Sequence, residues 1–320
     1  MRAAIATSFD ANEPLNGLTI GEHPDPVIQE GWIRVQVKAA SLNHHDVWTL
    51  RGVACPADRL PIVLGTDAAG VLEDGREVIV HSVIGDASSG DETLDPKRSL
   101  LSEVHDGTIA EYVTVPVRNV INKPGFLSFE EASCLPTAWL TAYRMLFTKS
   151  GLKKGDTVLI QGAGGGVATA LIQLAHAAGY TVWVTSRDEA KREYAKTLGA
   201  DEVFEVGGKL PGKVDAVMES VGEATWSHSM RSLRPGGRIV ICGATSGPNP
   251  PADLNRLFFL QLEVVGSTMG TRDEFEALVK FLGDTGLRPQ IQQVFSLDDT
   301  DKAIALMAAG DVRGKLVIVP

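Results

Sequence analysis

The hydrophobic rhythm of the chain changes near residue 124. Before that point the apolar residues fall in short runs broken by Gly and Pro. Residues 2–7, 75–80 and 110–115 read as strands, and residues 31–37 (Gly-Trp-Ile-Arg-Val-Gln-Val) alternate apolar with polar. A two-residue period is that of a half-buried strand. The stretch 81–106, with Gly85, Gly90, Pro96 and many Ser and Asp, reads as an exposed loop. These patterns predict a strand-rich, barrel-like first domain. From 127 onward the pattern alternates strand with helix. Ser128, three residues before Glu131 and directly after Leu127, signals a capping box with a hydrophobic staple. Further helices are expected over 138–148, 191–198, 227–233 and 254–262, with strands at 157–161, 181–185, 203–204, 214–220, 238–242 and 264–267. Strand–helix alternation implies a parallel, doubly wound sheet. In the tail, helices at 273–281 and 298–309 and strands at 290–295 and 315–319 return to the first domain.

Between the strand at 157–161 and the helix that follows lies Gly162, Gly164, Gly165, Gly166 and Val167. Glycines there let backbone N–H groups approach a pyrophosphate, which the helix N-terminus then faces. Val167 breaks the strict G-x-G-x-x-G pattern. The turn is read one residue longer, with Gly162, Gly165 and Ala168 at three-residue spacing. Gly222, Gly243 and Gly266, with Ser267, stand just past three other strands, on the rim where open α/β sheets bind ligands. Thr137 is placed with this cofactor set. The end of the second strand chooses between nucleotides, because a carboxylate there binds the NAD ribose and basic groups accept the NADP phosphate. Ser186 takes that position, with Arg187 beside it and Lys191 one turn on, so NADPH is expected over NADH. A register shift of two residues would put Asp188 there and reverse the choice.

The 320 residues suit two domains, and a net charge of −10 with 22% charged residues disfavours nucleic acid or an anionic membrane. No apolar run approaches the ~20 residues of a membrane helix, and the N-terminus lacks the features of a signal peptide. Cys55, Cys134 and Cys242 are odd in number and widely spaced, so neither a disulfide framework nor a CxxC zinc site is indicated. A cytoplasmic enzyme is the expectation. After the strand at 31–37, Asn43, His44, His45, Asp46, Val47 and Trp48 gather polar side chains at the start of a short helix ending at Gly52. Asn43 and Asp46 read either as the lining of a site or as helix caps. His44 and His45, being adjacent, cannot share one face and are poorly spaced as metal ligands.

Several segments in order now resemble the medium-chain dehydrogenase/reductase superfamily over the whole length. They are Leu42 to Trp48, Gly65-Thr66-Asp67-Ala68-Ala69-Gly70-Val71, Asp106 to Val113, Gly162 to Ala168, Leu198 to Asp201, Leu233 to Gly237 and the closing Gly314-Lys315-Leu316-Val317. The resemblance implies a GroES-like catalytic domain, 1–123 and 267–320, with an inserted Rossmann domain, 124–266. Where zinc alcohol dehydrogenases of this family carry Cys, His and Cys as ligands, this chain has Asn43, Thr66 and Ser133, with Cys134 one place off. The four-cysteine structural zinc lobe is replaced by residues 81–106, which contain no Cys. Amide and hydroxyl groups are poor zinc ligands, so no metal is expected.

The departures point the resemblance at the zinc-free quinone oxidoreductase branch. It implies an NADPH-dependent reductase of a quinone, enone or aldehyde, with Asn43, Asp46 and Trp48 as catalytic candidates and Tyr143 a further hydrogen-bond donor. A homodimer using the edge strand at 264–268 is a family-level expectation. Two other readings remain: an alcohol dehydrogenase with an unconventional metal site built on His44, His45 or Cys134, and a non-catalytic NADPH-binding regulatory protein.

Overall fold

The computed structural model describes residues 1–53 and 55–320. The chain forms two compact units, Met1–Leu140 with Gly270–Pro320, and Thr141–Met269. This division falls at 140/141 and 269/270. The reason for the first is packing: the helix Phe129–Ser133 lies on strands of the first unit.

The first unit begins with Arg2–Ala6 (β1), Leu18–Glu22 (β2), Trp32–Ser41 (β3), His44–Leu50 (α1), Ile62–Val63 (β4), Asp67–Leu72 (β5), Glu77–Val80 (β6), Val83–Ile84 (β7), Ser99–Leu100 (β8), Tyr112–Pro116 (β9) and Val120–Asn122 (β10). The tail adds two strands, Ile291–Ser296 and Lys315–Val319. Three strands pair in the order β2-β1-β4. A seven-stranded sheet runs β10-β6-β5-β3, then Lys315–Val319 and Ile291–Ser296, with β9 on the same strand β3. Val35, Val37, Leu42, Val78, Val80, Val113, Val115, Leu316 and Ile318 fill its core. Alternation along β3 and β9 puts these side chains inward and Arg34, Gln36 and Thr114 outward. Ser128 caps Phe129–Ser133 (α2) as expected: its Oγ accepts from Glu131 N, and its own N donates to Glu131 Oε2.

The expectation of an exposed loop at 81–106 is corrected. His81, Ser82, Val83, Glu92, Leu101 and Ser102 are all buried. β7 and β8 pair as a hairpin. Glu92 reaches out of the segment to accept from Arg272 N at 2.8 Å, which ties it to the start of a tail helix. Polar composition hid this because what is buried is a charged side chain meeting a helix terminus.

From 135 to 149 the chain runs as one helical stretch, with wide π turns at Leu135–Trp139 and Arg144–Lys149 flanking Leu140–Tyr143 (α3). The second unit then alternates as predicted: Thr157–Gln161 (β11), Gly166–Ala177 (α4), Thr181–Thr185 (β12), Glu189–Thr197 (α5), Glu202–Phe204 (β13), Val214–Glu219 (β14), Glu223–Ser232 (α6), Leu233–Ile241 (β15), Leu254–Phe259 (α7) and Glu263–Gly266 (β16). All six strands are parallel, in the order β13-β12-β11-β14-β15-β16. That is the doubly wound dinucleotide-binding order, with the switch point between β11 and β14. Leu159, Val217, Trp226, Met230 and Ile239 form one face of its core. The tail completes the fold with Arg272–Thr285 (α8), Ile291–Ser296 (β17), Thr300–Ala309 (α9) and Lys315–Val319 (β18). Among the described residues no helix is long and apolar enough to cross a membrane.

Candidate active site

In the first unit the chain buries a charged cluster at the mouth of β3, β5 and β18. β3 ends at Ser41, which pairs with Asp67 at the start of β5 and with Val317 on β18. The register therefore brings Ser41, Asn43, Asp67 and Lys315 together. Lys315 is 2% exposed, and its ammonium donates to Leu42 O (2.7 Å), Asn43 Oδ1 (2.7 Å) and Asp67 Oδ2 (3.3 Å). Because Oδ1 of Asn43 accepts from an ammonium, its amide orientation is fixed. Its Nδ2 donates to Thr66 Oγ1 at 3.1 Å and Asp67 Oδ2 at 2.8 Å. Asp67 collects further donors from Ser41 Oγ (3.0 Å) and Thr137 Oγ1 (2.5 Å). A buried ion pair survives only with its remaining hydrogen-bonding capacity filled, and here it is filled.

The sequence-predicted residues divide accordingly. Asn43, Asp46, Thr66 and Thr137 lie together, but their polar atoms are engaged within the protein. Asp46 is fully buried and takes Asn43 N (2.8 Å) on one oxygen and Gly65 N (3.0 Å) on the other, so it fastens α1 to the turn before β5. Burial pushes its carboxyl up to about 6. Thr137, expected on the cofactor, donates its hydroxyl to Asp67 Oδ1. Trp48 is half-buried, and its ring stacks on exposed His44, one helical turn away (6.2 Å, 24°). His45 points elsewhere, to Glu103 Oε1 at 3.0 Å, as adjacent helical residues must. Tyr143 belongs to the second unit, where its ring lies 4.7 Å from Phe147.

This donor set does not fit zinc. Asn43, Thr66 and Ser133 offer an amide and two hydroxyls, and Ser133 Oγ donates to Glu130 O. Burial pushes the Cys134 thiol up to about 12, and its Sγ donates to Glu130 O at 3.2 Å. Lys315 adds a fixed positive charge to the cluster. Among the described residues no three of His, Cys, Asp and Glu converge in a metal-binding arrangement.

The second unit does fit a dinucleotide. Gly162 has φ +93°, a conformation that favours glycine, and its N donates to Thr185 O. A Cβ on Gly165 would meet nothing within 4 Å, so the first turn of α4 is open to an approaching phosphate. Gly164, Gly166 and Val167 complete that turn, and the helix leaves its first N–H groups without intrahelical partners. Gly222 (φ +91°) caps α6, Gly243 follows β15 and Gly266 ends β16. Ser267 is 9% exposed, and its hydroxyl is buried with no hydrogen-bond partner among the described residues. At the end of β12, Ser186 is buried and Arg187 exposed. Asp188 caps α5 by accepting from Lys191 N at 2.9 Å. Sequence reasoning missed Arg192, whose guanidinium donates to Ser186 O at 2.7 Å.

Comparison with known proteins agrees with both units. The family model described as "Alcohol dehydrogenase GroES-like domain" matches residues 29–125, and "Zinc-binding dehydrogenase" matches 166–284. A 2-methylene-furan-3-one reductase of Solanum lycopersicum is 32% identical over 92% of this chain and 73% of its own. An acryloyl-coenzyme A reductase of Sulfurisphaera tokodaii is 28% identical over 96% of this chain and 98% of its own. A solved NAD-dependent alcohol dehydrogenase superposes over 100% of both chains with a TM-score of 0.93 at 33% identity. A catalytic unit of GroES-like pattern interrupted by a doubly wound nucleotide unit, matched along nearly its whole length by such enzymes, places this chain in the medium-chain dehydrogenase/reductase superfamily as an NAD(P)H-dependent oxidoreductase.

Proposed function

We propose that this enzyme is an NADPH-dependent, zinc-independent reductase of a small conjugated acceptor, an enone-like or quinone compound. The observation that carries the reading is the Lys315–Asp67–Asn43 cluster, which puts a satisfied ammonium–carboxylate pair among the positions where a catalytic metal would need ligands. Without a Lewis acid an alcohol or simple carbonyl oxygen is not polarised. A conjugated acceptor needs less help, because its own electron withdrawal activates the β-carbon toward hydride. The relatives that reduce acryloyl-CoA and a methylene-furanone act on such compounds by name, which supports this class.

When bound, NADPH supplies the hydride. The chain's own residues bind and orient. Gly162, Gly164, Gly165, Gly166 and Val167 would take the pyrophosphate, Ser186, Arg187 and Lys191 the 2′-phosphate, and Gly222, Gly243, Gly266 and Ser267 the remaining rim. Asp188 supports the choice of NADPH, because its carboxylate is already occupied as a helix cap. In the catalytic unit the stacked rings of His44 and Trp48 offer a flat apolar face for the acceptor. Asn43 and Asp46 act by holding α1 and its aromatic pair in place.

Two further features belong to this reading. The three cysteines are free thiols, which suits a cytoplasmic enzyme. β16 is an edge strand, and beside it Val264, Phe258 and Phe259 are exposed (44%, 68% and 80%), which favours a homodimer through that edge. The test of function is turnover of NADPH and NADH with enones, quinones, enoyl thioesters, aldehydes and alcohols. Consumption of NADPH by the conjugated acceptors supports the proposal. Turnover confined to alcohols and simple aldehydes, or tight NADPH binding with no turnover of any acceptor, refutes it.

A further inference from the structure

The rim of the second unit rests on a buried chain of hydrogen bonds that the cofactor turns do not themselves contain. Glu219 ends β14 and is fully buried. Its carboxylate accepts from Val221 N (2.8 Å) and Gly222 N (3.1 Å), from Thr225 Oγ1 at 2.9 Å to each oxygen, and from Ser229 Oγ (2.7 Å).

The direction of every proton in the chain follows. Ser229 gives its hydroxyl proton to Glu219, so it must accept from Gln161 Nε2 at 2.9 Å. The second Gln161 proton faces His228 Nδ1 at 3.1 Å, which makes Nδ1 an acceptor and puts the imidazole proton on Nε2, toward Gly208 O at 3.0 Å. Gln161 Oε1 accepts from Thr185 Oγ1 at 2.5 Å. Gln161 directly precedes Gly162, Thr185 directly precedes Ser186, and Glu219 lies three residues before Gly222. Gly222 in turn admits no side chain, since a Cβ would lie 2.4 Å from Gly247 O, and Ser246 N donates to Val221 O at 2.7 Å.

We propose that Glu219 is a positioning residue for dinucleotide binding, acting through Thr225, Ser229, Gln161 and Thr185 to hold the turns after β11, β12 and β14 in one geometry. The inference rests on the nucleotide reading of this unit but not on the acceptor. Each turn is a short, glycine-containing segment whose conformation costs entropy to fix, so a turn fixed before binding lowers the cost of binding. NADPH and NADH share the turns after β11 and β14, so the binding of both weakens, and the acceptor's KM is untouched.

The experiment compares the parent enzyme with Glu219→Gln, with isosteric Thr225→Val and with Thr225→Ser, which keeps the hydroxyl. The readouts are NADPH and NADH Kd by titration calorimetry well below the unfolding midpoint, kcat at saturating NADPH, and the midpoint itself. The expected result is a Kd weaker by roughly tenfold for Glu219→Gln and by a few-fold for Thr225→Val, for both cofactors, with kcat within about twofold and Thr225→Ser near the parent. If Glu219→Gln does not fold, the Thr225 pair decides. Unchanged Kd values alongside a lowered midpoint would make the network merely structural and overturn the proposal. A parent protein that binds neither cofactor would instead refute the nucleotide reading.

Discussion

At the scale of residues, two buried groups hold more than their sequence positions suggest. Lys315 is the cation of the first unit, and its carboxylate partner lies 248 positions away. The sequence shows Gly314-Lys315-Leu316-Val317 only as a strand that begins with a charge; nothing local announces the partner. The glycine turn, by contrast, is legible, because the positive φ at Gly162 favours that residue type wherever the chain folds. Lys315→Met leaves Asp67 buried without its cation and is expected to destabilise the protein by about 3–5 kcal/mol. Denaturant titration checks this, and a loss under about 1 kcal/mol would contradict it. His228 titrates in the other unit. Burial, first, and then Arg231 hold its pKa below the ordinary 6.5, while Gly208 O and Glu219 oppose the shift. The folded state thus prefers the neutral ring, in keeping with Nδ1 as an acceptor. Its contribution is complete above about pH 6.5 and is lost as pH falls from there toward the folded-state value. Melting temperatures of the parent and of His228→Gln should converge as pH falls through that window. A constant difference would show that His228 does not titrate this way.

At the scale of elements, the parallel sheet was readable because most of its strands are short apolar runs followed by glycine, and most are joined by the helices that parallel strands require. The end of β12 was readable in composition but not in role. Asp188 became a cap, which only the start of α5 reveals, and Arg192 on Ser186 O was hidden one residue past Lys191. Changing Ser186 to Asp with Arg187 to Ala should invert cofactor preference, raising the NADPH KM by at least about tenfold relative to NADH. Equal losses for both cofactors would move the 2′-phosphate elsewhere. β16 is the other element with a consequence. Val264→Lys places a charge on an apolar edge, and a dimer built there should become a monomer in sedimentation with its fold intact. A dimer that persists would move the interface to another face.

For the whole molecule, the domain order was legible because two periodicities alternate along one chain, and the unit boundaries were not, because α2 reads as the start of the helical half yet packs on the sheet of the first. The segment 81–106 was misread for a related reason: its Glu92 is buried and accepts from Arg272 N, at the start of a tail helix. What joins these levels is that among the described residues no metal-binding group of His, Cys, Asp or Glu converges, while the second unit has the strand order of a dinucleotide-binding sheet. The central claim is therefore that hydride transfer here proceeds without zinc. The direct measurement is NADPH oxidation with a conjugated acceptor after exhaustive chelation, with metal content determined on the same sample. The account predicts turnover unchanged by chelator and by added zinc, in protein holding far less than one metal per chain. Activity abolished by chelation and restored by zinc would contradict it.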